Sequence, residues 1–321
     1  MANTEKIAHD DINLVKDSKL VKYTVRDDEA EQRVDAFLSM MDEEHSRSFY
    51  TKLVKNGNLT INSKVIKKPS AILNSGDIVC IEIPAPKPLE VLAEDIPLDI
   101  LYEDNDLIIV NKPKGMVVHP AEGHLNGTLV NALLFHCKNS LSGINGILRP
   151  GIVHRIDMNT TGSLIVCKND LSHNKIAEQI KVHSINRIYL GIVHGNLKED
   201  EGTIEGPIGR SKNDRKKMAI TPDGKEAITH FKVIERLNGY TFCEFKLETG
   251  RTHQIRVHMA SIKHPLLGDD VYGPKKCPIK GLQGQTLHAY KIGFIHPTTN
   301  EYMEFRAPLP EYFEKLLNKL R

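Results

Sequence analysis

The stretch RPGIVHRIDMNTTGSLIVC, residues 149–167, is the part of the sequence from which both the fold and the chemistry can be interpreted. An apolar beginning leads into the ionisable side chains of His154, Arg155 and Asp157. A polar turn then precedes an apolar run over residues 162–167, which is typical of a buried strand bounded by turn residues. The ionisable cluster is therefore predicted to lie on a loop beside a buried strand, where binding and catalytic residues are often found.

The sequence around this stretch contains more strand patterns than helix patterns. Helical spacing and helix start signals predict helices over residues 128–137, from Asp170 to about His183, from about 252 to 262, and from Pro310 to the end. Apolar or alternating runs predict strands over 107–110, 116–118, 162–167, 188–193, 228–234 and 241–247. Runs of strands without regular strand–helix alternation indicate the α+β class.

The N-terminal part reads as a separate small module. Apolar spacing predicts helices around 34–41 and after Ser46, and strands at 59–61 and 78–83. Prolines at alternate positions in IPAPKPLE then indicate a stiff, extended connection. We predict a flexible tail over residues 1–20, a small domain over 21–84, a proline-rich linker over 85–97 and a larger domain over 98–321.

Composition excludes several classes of protein. The chain has 321 residues and a formal net charge of +2, with no apolar run long enough for a membrane helix and a charged rather than apolar N-terminal stretch. Its five cysteines are widely scattered, which fits a reducing cytoplasm better than a disulfide framework. The phosphate-loop, dinucleotide, zinc-protease and nucleophile-elbow motifs are absent, and the histidines lack further ligands at metal spacing. We therefore expect no metal and no cofactor.

Two local patches of positive charge stand out from this balanced composition. Residues 46–76 contain six Lys or Arg and no acid, and residues 210–217 contain five basic residues against Asp214. Such patches are typical of phosphate-binding surfaces, although a solvated surface explains each one equally well.

Three further side chains are considered for chemistry, each with a structural alternative. Asp157 is placed between two predicted buried strands, where its carboxylate would need a cation, but an Asp in a turn often binds backbone amides instead. Arg251, in TGRTHQIRVHMA (residues 249–260), lies in the loop before a predicted helix. From there its side chain could reach across a site; the alternative is that Arg251 is a surface residue. Tyr189 lies in an alternating strand, where a tyrosine commonly serves the core.

The sequence HRIDMNTTG (residues 154–162) resembles the HRLDxxTSG signature of the RluA/RluD family of RNA pseudouridine synthases. Residues 33–84 resemble an S4 RNA-binding domain. Departures from the family pattern are small: Ile156 replaces Leu, Thr161 replaces Ser, and Ser211-Lys212 replaces a frequent His-Pro. Further stretches match in the family's order: GTLVNALLFH, NGILRPGIVHRID, RIYLGIVHG, GPIGR, TGRTHQIRVHMA, GDDVYG and LHAYKIGFIHP.

The resemblance implies a catalytic domain with a large, mostly antiparallel or mixed sheet and flanking helices. It implies isomerisation of uridine to pseudouridine in RNA, in a D-type enzyme that acts on large-subunit ribosomal RNA. Asp157 would be the essential carboxylate, acting on the sugar or on the base, and Arg251 would pair with it and keep it ionised. Tyr189 would stack on the target uracil and is considered for handling the proton on carbon 5.

The reaction needs an extruded base, because a stacked uridine is out of reach of a side chain. The resemblance implies that Arg155 fills the space that the base vacates or holds the flipped nucleotide, and a structural salt bridge is the alternative. The basic residues Arg47, Lys52, Lys55 and Lys64 of the S4 region, together with Arg210, would contact RNA phosphates. We expect a cytoplasmic monomer whose partner is ribosomal RNA or pre-ribosomal particles, with no membrane partner. Three alternatives stay open: a transfer RNA pseudouridine synthase, a non-catalytic RNA-binding or ribosome-assembly factor, and an RNA N-glycosidase.

Overall fold

The computed structural model describes residues 18–41, 46–83, 91–121, 123–138, 140–144, 149–212, 214 and 217–321. The chain divides into two compact units, Met1–Pro88 and Leu89–Arg321. Most of the predicted tail, residues 1–17, and residues 85–90 of the predicted linker lie outside the described part. Residues 91–97 of that linker form no helix or strand.

Unit 1 is a four-stranded antiparallel sheet that packs against two helices. Its elements are β1 (Lys19–Thr24), α1 (Val34–Met41), α2 (Arg47–Lys55), β2 (Leu59–Ile61), β3 (Lys64–Val65) and β4 (Ile78–Ile83), with the strand order β1-β4-β2-β3. Ser46 caps α2 by accepting a hydrogen bond from the Phe49 amide. The prediction of a tail up to residue 20 was wrong at its end, because β1 begins at Lys19 and pairs along its whole length with β4. Along the strand, exposed residues (Leu20, Lys22 and Thr24) alternate with half-buried ones (Val21 and Tyr23), but the adjacent apolar Leu20 and Val21 concealed this alternation in the sequence.

A buried carboxylate joins the two helices of unit 1. Asp35 accepts hydrogen bonds from Nε and Nη2 of Arg33 at 3.0 and 2.9 Å and from Nη2 of Arg47 at 3.1 Å, and only 4% of its side chain is exposed. These guanidinium groups, Arg33 first, lower the pKa of Asp35 from 3.8 to about 2.

Because the pKa is lower in the folded state, Asp35 stabilises unit 1 above about pH 4, and this stabilisation is lost as the pH falls through about 2. We expect Asp35→Asn to lower the stability of unit 1 by about 2 kcal/mol at pH 7 and to flatten its acid dependence below pH 4. Hydrogen exchange of the α1 and α2 amides in the full chain measures both effects. Glu82→Gln, at an exposed site on β4, is the matched control. Equal protection in both variants would contradict the prediction.

Unit 2 is built on one large mixed sheet. Its strands are β5 (Ile100–Glu103), β6 (Leu107–Lys112), β7 (Thr161–Cys167), β8 (Asn186–His194), β9 (Glu201–Glu205), β12 (Ile228–Leu237), β13 (Tyr240–Leu247), β14 (Leu287–Ile295) and β15 (Tyr302–Arg306), and a separate hairpin is formed by β10 (Ile208–Arg210) and β11 (Met218–Ile220). The order is β5-β6-β7-β14-β8-β13-β12-β9, with β15 paired to β14. All pairings are antiparallel except that of β7 with β14. The predicted α+β class with a large mixed sheet is confirmed.

Four helices in the described residues of unit 2 cover both faces of the sheet. They are α3 (Leu129–Cys137), α4 (Asp170–Lys181), α5 (Gln254–Ser261) and α6 (Glu311–Leu320). On one face of the sheet, α3 packs against residues of β6 and β7, and α5 packs against residues of β13. On the other face, α4 packs against β6 and β7, and α6 packs against β13. Tyr189 on β8 contacts both the α3 cluster and the α5 cluster. It therefore marks the middle of the α3/α5 face.

A close approach between two strands explains one glycine of the signature. Gly162 has a φ of +107° and pairs with Ala289 of β14, where a Cβ would overlap the Ala289 backbone. Glycine alone accommodates both the positive φ and the contact. The parallel pairing of β7 with β14 depends on it, and this pairing fixes the strand that follows Asp157.

The predicted helices and most of the predicted strands are found near their expected positions. Asn169 rather than Asp170 caps α4, and residues 116–118 form no strand. The strands β5, β9, β10, β11, β14 and β15 were not predicted, although β14 occupies the centre of the sheet. None of the helices in the described segments is long and apolar enough to cross a membrane.

Candidate active site

A cavity of about 500 Å³ opens beside Tyr189 on the α3/α5 face of the sheet. Its volume falls in the range of sites that hold a ligand of nucleotide size. The ionisable residues that line it are His119, Arg149, His154, Arg155, Asp157, Arg187, Tyr189, Arg251 and His253. Asp157 is the one acid among these lining residues, so the cavity is a strongly basic site around a single carboxylate.

The loop that carries Asp157 is fixed by buried hydrogen bonds. The carbonyl of Asp157 accepts a hydrogen bond from the amide of Thr160 at 3.0 Å, and this bond closes a turn just before β7. The buried Lys112 donates from Nζ to the carbonyls of Pro113, Met116 and Met158 at 2.8–3.0 Å. Burial lowers the pKa of Lys112 to about 7, against the opposing effect of Asp157. Lys112 thus joins the end of β6 to the residue after Asp157 and holds the carboxylate in place.

The cation that pairs with Asp157 is Arg256, and the predicted pairing with Arg251 was wrong. Nη1 of Arg256 lies 2.9 Å from Oδ2 of Asp157, and its Nε and Nη2 lie 2.7 and 3.0 Å from the two carboxylate oxygens of Asp269. Burial alone would lower the pKa of Arg256, but the contacts with Asp269 and Asp157 raise it. The Asp157 side chain remains 25% exposed, so one carboxylate is both held and open to the cavity.

The geometry at the start of α5 explains which arginine meets Asp157. Buried Gln254 accepts bonds from Oγ1 of Thr249 and from the Arg251 amide, and it donates to the carbonyl of Ile228. Arg251 is thereby held in the loop, where its Nε donates to the carbonyl of Glu226 at 2.8 Å. Arg256 lies on the helix and faces Asp157, whereas Arg251 lines the cavity beside it.

His253 is a second neighbour of Asp157. It has a left-handed φ of 59° at the N-terminus of α5, and its Nε2 lies 3.8 Å from Oδ1 of Asp157. Its Nδ1 lies 2.8 Å from the hydroxyl oxygen of Tyr272. That oxygen accepts a hydrogen bond from the Met218 amide, so the hydroxyl can donate its own proton to Nδ1. Burial lowers the pKa of His253 despite Asp157, so a neutral ring presents Nε2–H toward the carboxylate.

Tyr189 lies in the same cavity as Asp157 and Arg251, so the structure brings the three predicted catalytic residues together. Burial raises the pKa of the Tyr189 hydroxyl, and this effect exceeds the opposing influence of Arg187. A phenol with a raised pKa keeps its proton at neutral pH. The ring is therefore better suited to stacking than the hydroxyl is to removing a proton.

The predicted nucleotide contact, Arg155, is exposed at the mouth of the cavity. Its Nη1 lies 3.4 Å from Nε2 of His119, and burial lowers the pKa of His119 to about 4. The neighbouring His154 serves the fold: its Nε2 accepts the amide of Ile165 at 2.9 Å, and burial lowers its pKa to about 3. Of the two ionisable residues before Asp157, Arg155 is thus the one that is available to a ligand.

The predicted phosphate contacts lie on exposed parts of both units. Arg47, Lys52 and Lys55 project from α2 and Lys64 from β3, all in unit 1, while Arg210 ends β10 in unit 2. Arg47 also pairs with Asp35, which orients its guanidinium while about half of the side chain stays exposed. A basic helix surface in unit 1 is therefore present, and its contact with RNA stays a prediction.

Metal-binding groups come together at one place in the described part of the chain, formed by Asp104, Asp106 and His296. Nε2 of His296 lies 2.9 Å from Asp104, and Asp106 accepts bonds from Asn169 and Thr298. These bonds tie the β5–β6 turn to neighbouring segments, and none of the three residues lines the cavity.

Sequence reasoning missed four residues of this site: Lys112, Arg187, His253 and Arg256. A signal for two of them was present in THQIR, because residues 253 and 256 are three apart and share one helix face. The buried Lys112 and Arg187 gave no such signal, since charged residues in strands are usually exposed.

Comparison with known proteins gives the family. A model described as RNA pseudouridylate synthase matches residues 106–261, and an S4 domain model matches residues 32–79. An uncharacterized RNA pseudouridine synthase of Bacillus subtilis, YlyB, is 50% identical over 94% of this chain and 98% of its own. The ribosomal large subunit pseudouridine synthase D of Zymomonas mobilis is 45% identical over 90% of this chain and 93% of its own. The solved structure of human RNA pseudouridylate synthase domain containing 1 covers 70% of this chain and 86% of its own, with 26% identity and a TM-score of 0.56.

The chain belongs to the RNA pseudouridine synthase family, and an S4 domain precedes its catalytic domain. Among the family's branches, relatives named ribosomal large subunit pseudouridine synthase D match at 38–45% identity over at least 90% of the chain. The resemblance inferred from HRIDMNTTG is confirmed, and the chain is an enzyme that forms pseudouridine in RNA.

Proposed function

We propose that this enzyme converts uridine to pseudouridine in large-subunit ribosomal RNA, with Asp157 as its catalytic carboxylate. The observation that carries the proposal is the Asp157–Arg256 contact of 2.9 Å at the edge of a basic cavity that Tyr189 also lines. A held carboxylate that remains partly exposed is the group that glycosidic bond chemistry requires. The names of the D-type relatives support the choice of ribosomal RNA.

The residues of the cavity divide the work of the reaction. Tyr189 offers a ring on which an extruded uracil can stack, and aromatic stacking of this kind favours a base outside its helix. Arg155, at the mouth, contacts the flipped nucleotide. Arg251 is a candidate for a phosphate contact because its guanidinium is not engaged by Asp157. Arg256 and Lys112 hold the carboxylate, one by an ion pair and one through the backbone.

The chemistry needs no added reagent, since breaking N1–C1′ and joining C5–C1′ is an isomerisation without net oxidation or hydrolysis. We propose that the enzyme acts without a metal or cofactor, as a monomer in the cytoplasm, where ribosomal RNA is available. The N-glycosidase alternative predicts release of free uracil, which chromatography of the reaction products distinguishes from pseudouridine.

Mapping of pseudouridine with carbodiimide tests the proposed target. Ribosomal and transfer RNA are compared from cells that have the gene, that lack it, and that carry an Asp157→Asn copy. We expect one or more large-subunit signals to disappear in the second and third strains and to return with the wild-type gene. Loss of signals from transfer RNA alone would show that the target is wrong. Unchanged maps in all strains would contradict the ribosomal assignment.

The S4 domain is expected to contribute to RNA capture rather than to chemistry. Removing residues 1–88 should leave the single-turnover rate at saturating enzyme nearly unchanged and weaken RNA binding. In the full chain, Lys52→Gln/Lys55→Gln should lower the slope of log Kd against log salt by about 0.7–0.9 per lost phosphate contact. Glu82→Gln serves again as the control. Equal binding with and without residues 1–88 would contradict the prediction.

A further inference from the structure

A second buried arginine faces the cavity from the strand that carries Tyr189. Arg187 lies two residues before Tyr189 on β8, so both side chains point to the same face of the sheet. Its residue exposure is only 7%, and it lines the cavity together with Asp157 and Tyr189. The guanidinium is therefore at the depth of the tyrosine ring rather than at the surface.

The hydrogen-bonding capacity of Arg187 is largely unused. Its Nη2 donates to the carbonyl of Glu248 at 3.1 Å, and its buried Nε has no partner. Among the residues that the structure describes, no carboxylate lies within 4.0 Å of it, whereas Arg256 has three within that distance. Burial, and then the nearby charge of Arg251, lower the pKa of Arg187. A buried cation without a counter-ion is costly, so this arrangement favours an anionic ligand.

The loop opposite Arg187 is shaped to accept its guanidinium. A Cβ at Gly250 would overlap Nη1 of Arg187, so a glycine is required for this close packing. The carbonyl of Glu248, in the same loop, accepts the Nη2 proton. The backbone of this loop thus limits the guanidinium on one side, while its other side faces the cavity.

The depth of Arg187 indicates which part of a nucleotide it would meet. Arg149 and Arg155 are exposed at the mouth of the cavity, where RNA phosphates can stay partly hydrated. Arg187 and Tyr189 lie deeper, and their backbone positions on the strand are about 6.4–6.8 Å apart, a spacing comparable with the width of one pyrimidine. A uracil that stacks on Tyr189 therefore brings its carbonyl oxygens toward Arg187. The phosphates of the RNA backbone remain near Arg149 and Arg155 at the mouth of the cavity.

We propose that Arg187 is a catalytic residue that stabilises the negative charge on uracil when the N1–C1′ bond breaks. This inference rests on the proposed function, and it adds a role for the base to the role of Asp157. When the bond breaks, its electron pair stays on N1 and is delocalised onto O2 and O4 of the departing uracil. The charge disappears when C5 bonds to C1′, the C5 proton leaves and N1 is protonated.

This role fits each route that is open to Asp157. Whether the carboxylate attacks the sugar, attacks the base or removes a sugar proton, the base carries excess negative charge when its glycosidic bond is broken. A fixed cation in a site that excludes water stabilises such a charge without reorganisation. The positively charged Arg187 meets this need, whereas a neutral Tyr189 does not.

Single-turnover rates on two RNA substrates test the assignment. A large-subunit ribosomal RNA transcript is prepared with uridine or with 5-fluorouridine, whose departing base is the more stable anion. We expect Arg187→Met to consume the uridine target about 10²–10³-fold more slowly than wild type, with little change in RNA Kd. On the 5-fluorouridine transcript, consumption of the target nucleotide is measured whether the product is rearranged or stays trapped on the enzyme. The rate loss caused by Arg187→Met should be smaller there by about tenfold or more.

Two further variants keep the test decisive. Gly250→Ala, which displaces the guanidinium but keeps the arginine, should give a smaller loss with the same substrate dependence. Arg306→Met, at a surface ion pair on β15, should behave as wild type on both substrates. Equal losses on both RNAs, or a loss in Kd alone, would overturn the role of Arg187. Failure of wild-type enzyme to form pseudouridine in the uridine transcript would instead count against the proposed function.

Discussion

An Asp157→Asn enzyme is expected to bind its RNA and to form no detectable pseudouridine. The amide has nearly the size of the carboxylate and can still accept the Arg256 Nη1 proton, so the 2.9 Å contact can persist. It provides neither an anionic nucleophile nor a base. We expect the single-turnover rate to fall by at least about 10⁴-fold, the scale expected when a catalytic nucleophile is removed. Chromatography of nucleosides from digested RNA measures this rate, and gel shift measures RNA binding.

The matched control for this experiment is Asp200→Asn, at a side chain that is 83% exposed and outside the cavity. It should behave as wild type in both assays. Near-normal pseudouridine formation by Asp157→Asn would show that another group performs the chemistry. Loss of RNA binding together with activity would indicate a structural role for the carboxylate.

Replacement of Arg256 by methionine is expected to impair both stability and catalysis. The substitution leaves the Asp269 carboxylate, which has no exposed side-chain surface, without its cation. Breaking a buried ion pair in this way costs about 3–5 kcal/mol in the free energy of unfolding. Asp157 also loses the group that orients it, so the rate should fall by about 10²–10³-fold. Denaturant unfolding and single-turnover assays measure the two effects.

A double variant separates these two effects of Arg256. Adding Asp269→Asn removes the uncompensated charge, while an amide oxygen can still accept the backbone amides of Val271 and Tyr272. Stability should recover in part and activity should not. Recovery of both would mean that Arg256 matters only for folding. Arg251→Met is the informative comparison: it should mainly raise the RNA Kd, and a full loss of activity would restore Arg251 as the partner of Asp157.

Much of the architecture was open to prediction because it depends on local patterns. The spacing of Val34, Phe37 and Leu38 predicted α1, and Ser46 marked the start of α2, since helical periodicity and capping involve residues close in sequence. The central strand β14 was not predicted. It lies between β7 and β8 and pairs with both, although each is more than 90 residues away along the sequence. No local sequence pattern indicates such a pairing.

The site was predicted in part for the same reason. HRIDMNTTG located Asp157, TGRTHQIRVHMA located Arg251, and the family resemblance selected Tyr189. All three predicted catalytic residues line one cavity. The predicted pairing of Asp157 with Arg251 was wrong, since Arg256 is the partner. Both lie in one short motif, and only the left-handed turn at His253 and the bonds of Gln254 decide that the helical arginine faces Asp157.

By itself, the sequence determined the α+β class, the small N-terminal RNA-binding module, the family and the segment that carries the proposed catalytic carboxylate. Those features follow from side chains that are neighbours along the chain or from motifs whose residues are contiguous in the sequence. Only the tertiary structure decided which cation holds Asp157, that Lys112 is buried behind it, and that Arg187 faces the cavity without a carboxylate partner within the described residues. These are contacts between distant segments, and their energies depend on burial and distance, which exist only once the chain has folded.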